Sequence, residues 1–206
     1  MIKVKVCGIT RQEDAESITD LGIDYLGFIF CKDSPRYIEP EKAAAIIRSL
    51  RGKTVRTVGV FVNEKPETVN SVVRKAGLEL VQLHGDYPSG SYGRFCADVI
   101  KVVSISGPSD LEGLNDAHAA VRFFLFDTKV EGKHGGTGRA FDWKLLKKRP
   151  GGRDFFLAGG LNSDNILSAC EAGPYCVDLN SGVEVSPGVK DPARVKTVLE
   201  RMKKYR

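Results

Sequence analysis

MIKVKVCGITRQEDAESITDLGIDYLGFIF, residues 1–30, contains one complete strand–helix–strand unit. Val4–Cys7 and Tyr25–Phe30 are short runs of β-branched and aromatic residues, the side chains that fit a pleated, buried surface. Between them, Arg11–Leu21 has helical spacing. Thr10 is placed to cap that helix with Glu13 in the capping-box position, and Gly22 stands just past its end. The unit recurs along the chain. Further strands are expected at Val55–Val62, Leu80–Leu83, Val99–Val103, Phe123–Phe126, Phe155–Leu157 and Cys176–Leu179, and further helices at Glu41–Leu50, Glu67–Ala76, Asn165–Ala172 and Pro192–Lys204. Pro40, Pro66 and Pro192 fall near the first turns of three of these helices, where a missing N–H costs nothing, and Gly77 and Gly173 follow two helix ends. Strands alternating with helices imply βαβ units and a parallel sheet. Eight such units either close as a barrel or open as a doubly wound sheet, and the count favours a (β/α)8 barrel, although 206 residues is at the small end for one. Residues 128–150 give no clear pattern. With no linker or low-complexity tract, residues 1–206 are expected to form a single domain.

Composition narrows the function classes. At 42% hydrophobic and 28% charged residues the chain has the balance of an ordinary soluble protein, and no apolar run approaches the roughly 20 residues that span a bilayer. The strand-like start leaves no room for a secretory signal, so the cytoplasm is the expected location. Five cysteines, Cys7, Cys31, Cys96, Cys170 and Cys176, make an odd number with no CxxC pair; they are read as reduced thiols, with no metal site. The net charge of +5 is spread along the chain apart from a basic end at Arg201–Arg206, and no nucleic-acid-binding signature accompanies it. No nucleic-acid or membrane partner is expected.

Alternation along the first strand places Lys3, Lys5 and Cys7 on one face and Val4 and Val6 on the other, so Lys5 and Cys7 face the barrel interior. The same parity groups Gln82 with His84, and Cys176 with Asp178 and Asn180, whereas Lys101 stands alone between valines. Buried charges need a partner or a purpose. An internal ion-pair network, such as Lys5 with Asp178, is the expectation for Lys101 and Asp178. Cys7 and Asp127 differ in that each ends its strand and precedes a turn, and that face of a barrel carries the active site. A thiol and a carboxyl across the mouth from each other suit proton removal at one atom and donation at another, which needs no metal or cofactor. A nearby ammonium such as Lys5 would favour the thiolate. Glycines cluster at Gly135-Gly136-Thr137-Gly138, at Ala158-Gly159-Gly160 and at Ser181-Gly182; loops after strands seven and eight commonly hold a phosphate on their backbone N–H groups.

Taken together, these segments are recognisable. Lys5-Val6-Cys7-Gly8-Ile9-Thr10, Gly27-Phe28-Ile29-Phe30 with Ser34-Pro35-Arg36, Gly59-Val60-Phe61-Val62-Asn63, Gln82-Leu83-His84-Gly85, Phe126-Asp127-Thr128-Lys129, Gly135-Gly136-Thr137-Gly138, Leu157-Ala158-Gly159-Gly160-Leu161 and Asn180-Ser181-Gly182-Val183-Glu184 resemble, in order, motifs of the phosphoribosylanthranilate isomerases of tryptophan biosynthesis. The resemblance implies a cofactor-free Amadori rearrangement, with Asp127 as general acid and Cys7 as general base. It also implies that Arg36 pairs with the anthranilate carboxylate, that backbone groups around Gly159, Gly160, Ser181 and Gly182 hold the phosphate, and that the Gly136 loop closes as a lid. The implied partner is a small phosphorylated aminosugar, bound by a monomer or homodimer. Val6, Leu179 and Cys31 depart from the residues common in that family. A related sugar isomerase of histidine biosynthesis would use an aspartate where Cys7 stands, and a silent phosphate-binding barrel would need neither proton-transfer residue.

Overall fold

The computed structural model describes residues 1–105, 108–111, 120–127, 143, 146 and 153–206. Eight parallel strands run β1 Lys3–Cys7, β2 Tyr25–Ile29, β3 Arg56–Val62, β4 Leu80–His84, β5 Asp98–Ser104, β6 Val121–Asp127, β7 Phe155–Ala158 and β8 Cys176–Leu179. Each pairs with the next, and β8 pairs back onto β1 through Lys3↔Cys176 and Lys5↔Asp178, closing the barrel. The doubly wound alternative is thereby excluded. All eight expected strands are present. Several are buried end to end, as in the YLGFI of β2 and the FFLA of β7, because a parallel barrel covers both faces of every strand.

Helices α1 Gln12–Asp20, α2 Pro40–Ser49, α3 Pro66–Ala76, α4 Ile166–Glu171 and α5 Pro192–Arg201 fall on the five expected segments. Pro40, Pro66 and Pro192 each open a helix at its first position. The cap expected at Thr10 is absent: Arg11 is the N-cap residue of α1, and the Thr10 hydroxyl donates to the Gly188 carbonyl at 2.6 Å. Glu13 takes the Arg11 guanidinium instead of completing a capping box. Between β4 and β5 the described chain forms a 3-10 segment, Ser89–Arg94, and after β8 it adds a short antiparallel hairpin, β9 Glu184–Ser186 and β10 Val189–Lys190.

Parity along the strands divides the core as the sequence suggests. Val4 and Val6 pack outward with Leu26, Phe28, Ile18 and other residues of the helical layer. Inside, Tyr25, Val58, Leu80, Ile100, Phe123, Leu125 and Phe156 form an apolar plug. Two residues beyond the plug on β4 and β8 the inward positions are the polar Gln82 and Asp178, with Lys5 in register with Asp178 on β1 and Cys7 the next inward residue after it, so the barrel turns from oil to chemistry toward its C-terminal end. Lys101 lies outside this interior, since Ile100 and Val102 face inward on β5. Among the described residues no carboxylate pairs with it, and its ammonium donates to the Tyr92 hydroxyl at 2.8 Å. Among the described residues, no helix is long and apolar enough to cross a membrane.

Candidate active site

A cavity of about 460 Å3 opens at the C-terminal ends of the strands. Cys7 from β1, Asp127 from β6, Gly159 and Gly160 after β7, and Ser181 after β8 line it together with Arg36, bringing six of the expected site residues to one place. Gly182 lies in an adjoining recess that Ser181 shares. Gly136 lies outside the described residues. The two late loops are pressed together: a Cβ on Gly182 would sit 2.1 Å from the Leu161 carbonyl oxygen, so only glycine lets them meet. Ile29, Val60 and Leu125 supply an apolar wall suited to an aromatic ring, and Cys31 packs beside Cys7, Ile29 and Val60.

Cys7 is 3% exposed and stands directly beside Gly27, its register partner on β2. A Cβ at Gly27 would fall 2.7 Å from the Cys7 sulfur, so this glycine makes the room in which the thiol sits. The ammonium of Lys5 was expected to favour the thiolate. Burial wins instead: it pushes the Cys7 thiol above its ordinary value, Lys5 and Lys190 pull it only part of the way back, and Asp178 adds to the rise. Lys5 shares its charge with other partners. Its Nζ donates to Asp178 Oδ2 at 2.7 Å and to Gln82 Oε1 at 2.8 Å, and Gln82 in turn contacts His84 at 2.9 Å. Burial therefore favours the Cys7 thiol over its anion.

The Lys5–Asp178 pair is almost wholly withdrawn from solvent. Burial opposes the Lys5 ammonium, but the charges and hydrogen bonds of Asp178 and Cys7 together outweigh it and hold the lysine above its ordinary range. Breaking one half of such a pair leaves the other uncompensated. Lys5→Met is expected to cost roughly 3–5 kcal/mol in urea unfolding. A loss under about 1 kcal/mol would mean that Asp178 neutralises itself without its partner.

Arg36 holds a surprise. Its Nε donates to both carboxylate oxygens of Glu184, at 2.9 and 3.1 Å, and its Nη2 to Oε2 at 2.7 Å. Sequence spacing gives no hint of a contact across 148 residues, and Glu184, Lys190 and Asn180 were not among the expected site residues. Asn180 and Glu184 had a signal in the Asn180–Glu184 motif, and Asn180 also in strand parity, whereas Lys190 lies outside that motif and had none. Burial works against the Glu184 carboxylate, yet hydrogen bonds from Arg36 and Lys190 and the lysine charge hold its pKa below the ordinary value.

Comparison with known proteins agrees with this geometry. The family model described as N-(5'phosphoribosyl)anthranilate (PRA) isomerase matches residues 4–201. The N-(5'-phosphoribosyl)anthranilate isomerase of Citrifermentans bemidjiense is 43% identical over 205 residues, covering 99% of this chain and 98% of its own. The crystal structure of the Thermotoga maritima phosphoribosyl anthranilate isomerase superposes with a TM-score of 0.87 at 40% identity, covering 99% of this chain and all of its own. A second solved structure, of a phosphoribosyl anthranilate isomerase in complex with reduced 1-(o-carboxyphenylamino)-1-deoxyribulose 5-phosphate, matches with a TM-score of 0.84 at 37% identity, over 99% of this chain and 100% of its own. With a barrel whose strand ends carry these residues and a family match across nearly its whole length, the chain belongs to the N-(5'-phosphoribosyl)anthranilate isomerase family.

Proposed function

We propose that the chain converts N-(5-phosphoribosyl)anthranilate to 1-(2-carboxyphenylamino)-1-deoxyribulose 5-phosphate, a step of tryptophan biosynthesis, with Asp127 as general acid and Cys7 as general base. The observation that carries this reading is the convergence of Cys7, Asp127, Arg36 and the Gly159–Gly160 loop on one cavity with an apolar wall. Asp127 gives its proton to the ribose ring oxygen; the C1–O bond breaks and a protonated Schiff base forms. Cys7, as thiolate, takes the proton from C2, and the electron pair of that C–H bond neutralises the iminium nitrogen. The enolamine then tautomerises to the ketone. One proton leaves a carboxyl and one arrives at a sulfur, so the reaction moves hydrogen without net oxidation.

The substrate's phosphate lies against backbone N–H groups of the loops after β7 and β8, and its aryl ring against Ile29 and Val60. Arg36 meets the carboxylate. Arg36→Ala is expected to raise KM by about one to two orders of magnitude with a smaller change in kcat, because the contact exists in ground and transition states alike. A loss confined to kcat would contradict that role. The enzyme acts in the cytoplasm as a monomer or homodimer, and residues 1–206 are one domain.

The direct test follows the fluorescence of phosphoribosylanthranilate after adding the purified protein without metal. Rapid decay supports the isomerase. No decay from a folded protein removes the assignment and leaves a silent phosphate-binding barrel.

A further inference from the structure

A guanidinium is planar and offers two forked faces, one built from Nε and a terminal nitrogen and the other from both terminal nitrogens. Glu184 occupies the first face of Arg36, through Nε and Nη2. Among the described residues nothing hydrogen-bonds to the second face, which can meet another carboxylate in the same bidentate manner. Glu184 is itself fixed: its Oε1 accepts from Lys190 Nζ at 2.7 Å and from the Gly188 N–H at 3.1 Å. Lys190 also donates to Asn180 Oδ1 at 3.0 Å, and its backbone N–H donates to Asp14 Oδ2 at 2.9 Å. The β9–β10 hairpin brings the two residues opposite each other, since Glu184 and Lys190 are register partners. Their side chains are 4% and 0% exposed and neither lines the cavity, whereas Arg36 does.

Both Glu184 oxygens are surrounded by donors, so the position requires an acceptor on each side, which an amide cannot supply.

We infer that Glu184, anchored by Lys190, is a positioning residue that turns the outer face of Arg36 toward the cavity and thereby sets the preference for an arylamine bearing an ortho carboxylate. This rests on the proposed pairing of Arg36 with the substrate's carboxylate. The pairing fixes which ligands are favoured; the clamp fixes how strongly.

The test compares kcat/KM for N-(5-phosphoribosyl)anthranilate with that for N-(5-phosphoribosyl)aniline, which lacks the carboxylate, in wild type, Glu184→Gln, Lys190→Met and Arg36→Ala. Wild type should favour the anthranilate substrate, and Arg36→Ala should erase the preference. Glu184→Gln should shrink it by about tenfold, mainly through KM for the anthranilate substrate, and Lys190→Met should act in the same direction. Equal losses on both substrates in Glu184→Gln would make Glu184 merely structural and overturn the inference. Should that variant fail to fold, the ratio in Lys190→Met decides by the same criterion. A preference that survives Arg36→Ala would instead overturn the underlying pairing, a separate outcome from an unchanged ratio in the Glu184 and Lys190 variants alone.

Discussion

Cys7→Ser is expected to lower kcat by about three orders of magnitude, within the 10²–10⁴ span of a general base, with a residual rate that falls as pH rises. Serine fills nearly the volume of cysteine, so the pocket beside Gly27 should accept it without disturbing the barrel. The hydroxyl has no anion to offer near neutral pH, and proton removal from C2 is lost. What remains is ring opening by Asp127, which needs a protonated carboxyl, and that form grows scarcer as pH rises. Rates should be compared above pH 7, where the substrate phosphate, with a second pKa of about 6, no longer titrates. Wild type should behave differently. Its active form has an ionised thiol and a neutral carboxyl, so raising the pH gains the one as it loses the other, and because burial raises the Cys7 pKa this offset extends upward until the thiol is ionised. A level profile through neutrality is therefore expected, with loss on the alkaline side. Near-normal turnover by the serine variant would remove Cys7 from the reaction.

How the sequence signals this fold, and where it stops doing so, follows from the range of each interaction. Strands buried on both faces leave continuous apolar runs such as Phe155–Leu157, and helix starts are marked by prolines whose effect is local. Parity alone then aims Lys5 and Cys7 inward and pairs Lys5 with Asp178, because the period of two is a property of the backbone. The failures fall where a partner or the depth of burial is not visible in the local sequence. The Thr10 hydroxyl looks like a cap in its own neighbourhood, yet its partner, Gly188, is 178 residues away. Lys101 reads as half of an ion pair until a 3-10 segment places Tyr92 over it. The β9–β10 hairpin has too few residues to show an alternating pattern, so the Glu184–Lys190 clamp stays hidden even though Glu184 ends a recognisable motif. The effect of Lys5 on Cys7 has the right sign but the wrong outcome, since adjacency is visible in a sequence and desolvation is not.

Asp127→Asn tests the other half of the proton transfer, and its pH dependence should run opposite to that of the serine variant. Asparagine keeps the shape of aspartate at the end of β6 and can still donate an N–H toward the ring oxygen, so binding and folding should change little. It cannot release a proton, and kcat is expected to drop by about 10²–10⁴-fold. The residual reaction no longer needs a neutral carboxyl; it needs only the Cys7 thiolate. Because burial holds the thiol above its ordinary value, the thiolate fraction near neutrality is small and grows about tenfold per pH unit until Cys7 is ionised. The Asp127→Asn rate should therefore climb with pH over the same interval in which wild type is level and Cys7→Ser declines. Two variants with opposite slopes flanking a flat wild type identify which group gives a proton and which takes one, something that two equal losses of activity cannot do. If the residual rate of Asp127→Asn also declines with pH, Cys7 is not the base whose ionisation limits it. If that variant turns over at a near-normal rate, the ring-opening proton comes from elsewhere in the cavity, and His84, which lines the same cavity at the end of β4, becomes the group to replace next.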